Sequence, residues 1–417
     1  MSYKSISRIS LLCLIYISCN PPSPFVQLPL SDKSETHRII LQDKLDSLFH
    51  KYQCSGLVIT ITNKDSLIFS YANGYAKMGE KKPITLNTYY RIASISKVFI
   101  ALTIKKMEVD GLLNLEDDVS KYLGFKFRNI KNPMVPIKLK YLLNHTSSLK
   151  ADESIGLING DVYRSPLKVI FDFSDSKNRD AISSYWSDTK PGEEFAYSNF
   201  AYLILASVIE KVVNFDFNDY LKQSIFLPMN LKATFNQSEL ADSLIGYTYR
   251  NIDGTWVAQS DSIYVSKHKK RQFGENLIVY SPMGGLRISA LELAKIQKEI
   301  LNLSSKGKIF GLPEKSFREL ILDSIVTKDK SFEIYSLGFH HTKQLNVGEK
   351  WIGHPGEAYG LLSGWYYSPE KSLGITIIIP GSTYQSTQTE FYDIEKSIHS
   401  LLMTYIDLID NHAPNPR

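Results

Sequence analysis

Apolar positions recur at helical spacing near both ends of the chain and in its middle, and they alternate at strand spacing in between. Over residues 36–51, Leu41, Leu45, Leu48 and Phe49 mark one face of a helix. Leu57, Ile59 and Ile61 then alternate with Val58, Thr60 and Thr62. Asn63-Lys64-Asp65-Ser66 makes a turn, and residues 67–71 return as the second strand of a hairpin. A second helical stripe, Ile95, Val98, Phe99 and Leu102, starts at Ser94 and closes at Gly111, a C-cap residue. Residues 139–144 form a short amphipathic helix. Residues 202–213 form a longer one that buries Leu205, Ala206 and Ile209. Residues 290–301 carry Leu293, Ile296 and Ile300 behind Ser289 as N-cap. Strand patterns return at 335–340, 361–367 and 374–379, and 391–408 reads as a closing helix.

The order is therefore strands, a mostly helical block, then strands again, without an internal repeat. It predicts an α+β fold, an α/β sandwich in which one antiparallel sheet is assembled from both chain ends and flanked by helices. The sheet parts span about 38–92 and 331–405, the inserted helical part about 93–330, and residues 406–417 form a tail. Chemistry is expected at the seam between the two parts.

With 417 residues, 43% hydrophobic and 22% charged, the chain is globular and long enough for a proper core. A net charge of +5 is too small to argue for nucleic acid, and the leader takes two of its cations, Lys4 and Arg8, with it. The one basic run, Lys267-His268-Lys269-Lys270-Arg271, reads as a solvated loop, with contact with anionic surfaces as the alternative. Lys4 and Arg8 precede an apolar run over 9–17, then Ser18 and Cys19, as in a secretory signal over 1–18. The run is too short to span a bilayer. Cys19 after a small residue resembles the bacterial lipoprotein cleavage box, and residues 19–37 read as a Pro-rich tether. The protein is then expected to be exported, in the periplasm or at the outer membrane, and to meet the membrane only through that lipid. Besides Cys13 and Cys19 there is only Cys54, so no structural disulfide is expected, and no metal-ligand spacing is present.

Candidate chemistry centres on Ser94-Ile95-Ser96-Lys97. Residues three apart on a helix share a face, so the Lys97 amine reaches the Ser94 hydroxyl. A serine hydroxyl is a poor nucleophile until a neighbouring base takes its proton, and a buried lysine can serve. The helix N-terminus adds unpaired N–H groups suited to an oxyanion. Two other segments offer partners. Tyr197-Ser198-Asn199 leads into a helix; Tyr197 can pass a proton, and Asn199 can hold a carbonyl or orient Lys97. Gly353-His354-Pro355-Gly356-Glu357 presents an imidazole at His354, close backbone approach at Gly356 and the Glu357 N–H as a second oxyanion donor. Taken alone, that last segment equally describes a β-turn rich in Gly and Pro.

Together the three segments resemble the serine β-lactamase-like and penicillin-binding superfamily, especially class C β-lactamases, D-alanyl-D-alanine carboxypeptidases and related esterases. Ser94-x-x-Lys97 matches its first motif, Tyr197-Ser198-Asn199 its second, and His354-Pro355-Gly356 its third, where lactamases usually carry Lys-Thr-Gly. His145-Thr146-Ser147-Ser148-Leu149, Ile225-Phe226-Leu227-Pro228-Met229 and Met283-Gly284-Gly285-Leu286 extend the likeness over about 38–405. The resemblance implies a serine hydrolase that forms an acyl-Ser94 intermediate without metal or cofactor. Lys97 is its general base and Tyr197 its general acid/base, with Asn199, His354, Gly356 and Glu357 around the substrate. Esters, small amides or cell-wall peptides are the expected substrates. Pro355 lacks a hydroxyl and His354 is mostly neutral near pH 7, which implies weaker selection for an anionic substrate than in a lactamase. A β-lactamase and a catalytically silent lipoprotein that binds cell-wall ligands are the alternative readings.

Overall fold

Strand β13 (Leu373–Gly381) is the axis of the fold, and all nine of its residues are buried. Its run Ile375, Ile377, Ile378, Ile379 is β-branched and apolar on both faces, as a central strand requires. On one side it pairs antiparallel with β1 (Gly56–Thr62), Ile59 opposite Ile377, and on the other with β12 (Leu361–Ser368). The two chain ends thus meet in one sheet.

This is a computed structural model, and the residues described are 32–151, 166–172, 183–259, 272–275, 278–328, 332–345 and 348–410. The expected leader, Cys19, the tether up to residue 31, the basic run 267–271 and residues 411–417 lie outside the described residues. In chain order the remaining strands of the large sheet are β2 (Leu67–Lys77), β3 (Lys82–Pro83), β8 (Ile325–Val326), β9 (Ile334–Tyr335), β10 (His340–Thr342) and β11 (Trp351–Ala358). The sheet runs β8-β9-β10-β11-β12-β13-β1-β2-β3, with antiparallel pairing throughout. Among the two-stranded pairs apart from it are β4 (Tyr89–Arg91) with β7 (Arg287–Ser289), and β5 (Thr248–Ile252) with β6 (Thr255–Gln259).

Side-chain alternation divides the core in two. Leu57, Ile59, Ile61, Ile375, Ile377 and Ile379 pack against helix α1 (Asp32–Lys51) through Leu41 and Leu45, and against α6 (Asp393–Asp410) through Ile394, Ile398 and Leu402. Val58, Trp365 and Ile378 point to the other face. There they meet α2 (Ser96–Val109), α3 (Asn199–Val213), α4 (Ala290–Leu301) and α5 (Glu314–Leu322). Helix α2 ends where Gly111, at φ +74°, takes the left-handed position, and Ser289 with Glu292 forms a capping box at the start of α4.

The structure moves several expected boundaries. Helix α1 begins at Asp32, so residues 32–37 are helical and not tether. Helix α6 runs to Asp410 because Ile406 and Ile409 are still buried, so the first residues of the expected tail belong to it. The single strand expected over 335–340 is a hairpin, β9 and β10, turned at Gly338 with φ +87° and closed by Ser336 N–H donating to Phe339 O at 2.8 Å. The segment that reads as a Gly- and Pro-rich turn, 353–357, is strand, within β11. Proline is tolerated there because β10 pairs only with Trp351, Ile352 and Gly353. From His354 onward β11 has β12 as its strand partner on one side alone, so the missing Pro355 N–H breaks no ladder on the other.

Candidate active site

Ser94 lies in a single 3₁₀ turn, Ala93–Ile95, between β4 and α2, so it precedes the helix and is not its first residue. Ala93 takes φ +48°, a left-handed backbone that turns the chain sharply. That turn leaves Ser94 half-buried and at the surface of the site, while Lys97, one turn on, is fully buried. Lys97 Nζ is 2.9 Å from Ser94 Oγ, as the spacing predicts.

Two carbonyl oxygens fix the amine. Lys97 Nζ donates to Asn199 Oδ1 at 2.7 Å and to Met283 O at 2.8 Å. These contacts satisfy an ammonium with three N–H donors. They equally satisfy a neutral amine whose lone pair accepts the Ser94 hydroxyl proton, since both carbonyls still receive an N–H. Asn199 is the first residue of α3, so a helix start aims its amide at Lys97. Orienting Lys97 is one of the two tasks foreseen for Asn199, and this Oδ1 contact serves it.

Met283 belongs to a loop wrapped around the nucleophile turn. Arg91 Nε donates to Gly284 O at 2.9 Å and Arg91 Nη2 to Ser281 Oγ at 2.7 Å. Ile92 N–H donates to Leu286 O at 2.9 Å, and Leu286 N–H donates to Ser96 Oγ at 3.1 Å. Gly285 permits this path, because a Cβ there would come within 2.1 Å of Tyr280 O. The Met283 contact is backbone chemistry, and no side-chain pattern announces it.

The Tyr197 ring stacks on Phe332 (centroids 4.7 Å, planes 4° apart), and Lys97 Nζ lies 4.9 Å from its centre, within cation–π range. Tyr197 is half-buried, so its ring is locked while one edge stays accessible. Its backbone is clamped by a single residue. His145, held at φ +59°, accepts Ala196 N–H on its carbonyl (2.8 Å) and Ser198 N–H on Nδ1 (3.1 Å), and its ring lies 4.3 Å from that of Tyr197. An accepting Nδ1 requires a neutral ring. Burial, then the charge of Lys97, holds His145 well below its ordinary range.

The third segment reaches the site through Gly356. A Cβ there would stand 2.6 Å from Ile92 O and 3.3 Å from Ala93 Cβ, so β11 lies directly against the Ser94 turn. That contact brings the Glu357 end of the strand beside the nucleophile. The Glu357 side chain is exposed, and its carboxylate accepts from Tyr392 Oη at 2.8 Å.

His354 departs from expectation. It is completely buried, and both ring nitrogens are engaged inside the protein. Nδ1 lies 2.6 Å from Pro355 O, which can only accept, so Nδ1 carries the proton. Nε2 then accepts from Tyr335 Oη at 2.9 Å. Burial first, and Lys97 second, pushes His354 well below its usual range, and burial drives Tyr335 up. The side chain is a neutral support for β11 and not an imidazole presented to substrate.

With the geometry in place, the comparisons with known proteins are decisive for family. The model of the Beta-lactamase family matches residues 41–394. The chain belongs to that family. It is similar to Penicillin-binding protein 4* of Bacillus subtilis (strain 168), with 33% identity over 212 residues, 50% of this chain and 44% of that protein. It is also similar to Protein flp of Staphylococcus aureus (strain MRSA252), 28% identical over 213 residues, 49% of this chain and 41% of that one. The chain thus spans less than half the length of these curated relatives. Among solved structures it resembles the octameric penicillin-binding protein homologue from Pyrococcus abyssi, with TM-score 0.68 and 23% identity, covering 90% of this chain and 79% of that one. It resembles equally the D-amino acid amidase from Ochrobactrum anthropi SV3, with TM-score 0.64 and 18% identity over 91% and 99% of the two chains. At such identities these likenesses speak for the fold. Family membership and these structural likenesses together give the chain the β-lactamase and penicillin-binding fold.

Proposed function

We propose that the protein cleaves esters or amides through an acyl-Ser94 intermediate, as an esterase or a peptidase of D-amino-acid or cell-wall peptides. The carrying observation is the 2.9 Å contact between a buried amine, oriented by two carbonyls, and a half-exposed hydroxyl. Neutral Lys97, with Tyr197 against it, takes the Ser94 proton, and Oγ attacks the substrate carbonyl. The backbone N–H groups of Ser94 and Glu357 hold the oxyanion. Tyr197 gives a proton to the leaving group, which departs on its side, and then draws one from the water that releases the acyl group.

The neutral, enclosed His354 and the hydroxyl-free Pro355 supply neither a permanent cation nor a hydroxyl on β11. That favours esterase or peptidase chemistry over an efficient β-lactamase. We further propose export, with a lipid on Cys19 as anchor; a Cys19→Ala variant recovered in the soluble fraction would support it, and an unchanged membrane fraction would oppose it.

Ser94→Ala is expected to abolish hydrolysis of a p-nitrophenyl ester together with covalent labelling by a fluorophosphonate or penicillin probe. Labelling that persists in the variant refutes the assignment. Rapid nitrocefin turnover by the wild type would make the protein a β-lactamase instead.

A further inference from the structure

The two carbonyls that fix Lys97 are held by very different means. Asn199 Oδ1 is carried by a helix, α3, whereas Met283 O is carried by a loop that continues through two glycines. Consecutive glycines have the greatest backbone freedom, so a peptide rotation there would turn the Met283 carbonyl away from the amine. We propose that Arg91 is the positioning residue that keeps this carbonyl on Lys97. The proposal rests on the acyl-Ser94 reading, in which Lys97 is the base, and assigns that base a further residue acting through the loop.

Three observations converge. First, the guanidinium brackets Met283. Its Nη2 donates to Ser281 Oγ at 2.7 Å, two residues before Met283, and its Nε donates to Gly284 O at 2.9 Å, one residue after. These are charge-assisted bonds from one rigid planar fork, so they fix the two flanks of Met283 relative to each other. Ser281 O closes the same turn by accepting Gly284 N–H at 2.8 Å and Gly285 N–H at 2.6 Å.

Second, the clamp starts from the strand of the nucleophile itself. Arg91 ends β4, three residues before Ser94, and the next residue, Ile92, donates its N–H to Leu286 O at 2.9 Å. Backbone and side chain of one short segment thus grip both ends of the loop. Third, the guanidinium lies 4.8 Å from the centre of the Tyr359 ring, within cation–π range. Tyr359 and Gly360, at φ +53° and +84°, are the two-residue turn between β11 and β12, and β11 is the strand that lies against Ser94. The ring limits the swing of the guanidinium, and one side chain joins the segments that carry nucleophile, base orientation and oxyanion donor.

The full-length protein can be tested by fluorophosphonate labelling of Ser94, whose saturation separates the chemical step from binding. Arg91→Met is expected to lower the limiting labelling rate by about 10-fold or more, with the half-saturating concentration within about 2-fold of wild type. Arg91→Lys, a cation without the fork, should recover part of the rate. Ser281→Ala removes one bond and should cost about 3-fold; in the Arg91→Met background it should cost almost nothing, because its partner is already gone. A wild-type limiting rate in Arg91→Met overturns the proposal, as does a loss seen only in the half-saturating concentration. So does a Ser281→Ala effect that multiplies in full with that of Arg91→Met. If Arg91→Met fails to fold, a wild-type rate in Ser281→Ala overturns it alone. Hydrolysis of a p-nitrophenyl ester by Ser94→Ala would instead defeat the acyl-enzyme reading itself, whatever the Arg91 variants do.

Discussion

At Lys97 the neighbours, and not the residue type, define the chemistry. Asn199 and Met283 take two N–H groups in fixed directions and leave the third direction to Ser94. His145 does for Tyr197 what those carbonyls do for Lys97, by accepting the N–H on either side of it. That role separates from mere packing. His145→Gly keeps the left-handed backbone but removes the side-chain acceptor and leaves Ser198 N–H one partner poorer. His145→Asn keeps both the conformation and an acceptor. We expect the glycine variant to lose about 10-fold in kcat with KM little changed, about 1.4 kcal/mol of barrier, and the asparagine variant to recover most of it. Equal kinetics in the two variants would reduce His145 to a space-filler. The closeness of Ser94 and Lys97 was legible from spacing, whereas Tyr197 and Asn199 entered through the motif that resembles the family. Met283 was not legible, because a carbonyl carries no side-chain signature, and neither was Phe332, because a lone aromatic near a strand most often means core.

Among the elements, β11 was hidden from the sequence. Gly353, Pro355 and Gly356 are turn residues by propensity, and the short reach of β10, whose pairing stops at Gly353, creates the strand edge that accepts Pro355 and Gly356. The same edge must press against the Ser94 turn, which is why position 356 is glycine. A Cβ at 2.6 Å from Ile92 O and 2.4 Å from Ser363 Oγ cannot be accommodated without moving β11 or the turn. Gly356→Ala is expected to destabilise the fold by about 1–3 kcal/mol and to depress kcat/KM by more than that loss alone explains, about 100-fold. Denaturant melts and kinetics on the same preparation check both. A variant of near-wild-type activity would show that the strand edge is not part of the site. By contrast β1, β12 and β13 were legible, because alternating or continuous β-branched runs have one stable use.

At the scale of the whole molecule, burial has put several ionisable groups into their neutral forms. His145 and His354 lie well below the ordinary value of 6.5, His399 is lowered to about 4 and His341 to about 3, each mainly by burial. The unfolded chain binds protons at these histidines below pH 6.5 while the folded one does not. Stability is therefore full above that pH and is lost on acidification, through about 4 for His399 and 3 for His341, at up to about 1.4 kcal/mol per pH unit for each. Glu395 acts oppositely: burial raises it to about 8, so the folded state holds its proton and loses stability as pH rises from 4.5 toward 8. The histidines outweigh it below 6.5, and it acts alone above. Urea midpoints measured at pH 5.5, 6.5 and 8 should peak near 6.5; a monotonic rise through 8 would contradict this assignment of buried protons. By itself the sequence determined helices α1, α2, α3, α4 and α6, the central strands and the Ser94–Lys97 spacing, because these follow from local periodicity, and the order of elements pointed to a sheet shared by both chain ends. Only the tertiary structure decided that a Pro- and Gly-rich stretch is a strand, that His354 faces inward to Tyr335, and that a loop carbonyl steers the lysine. Each of those depends on which distant segment occupies the neighbouring space, and no local pattern along the chain encodes that.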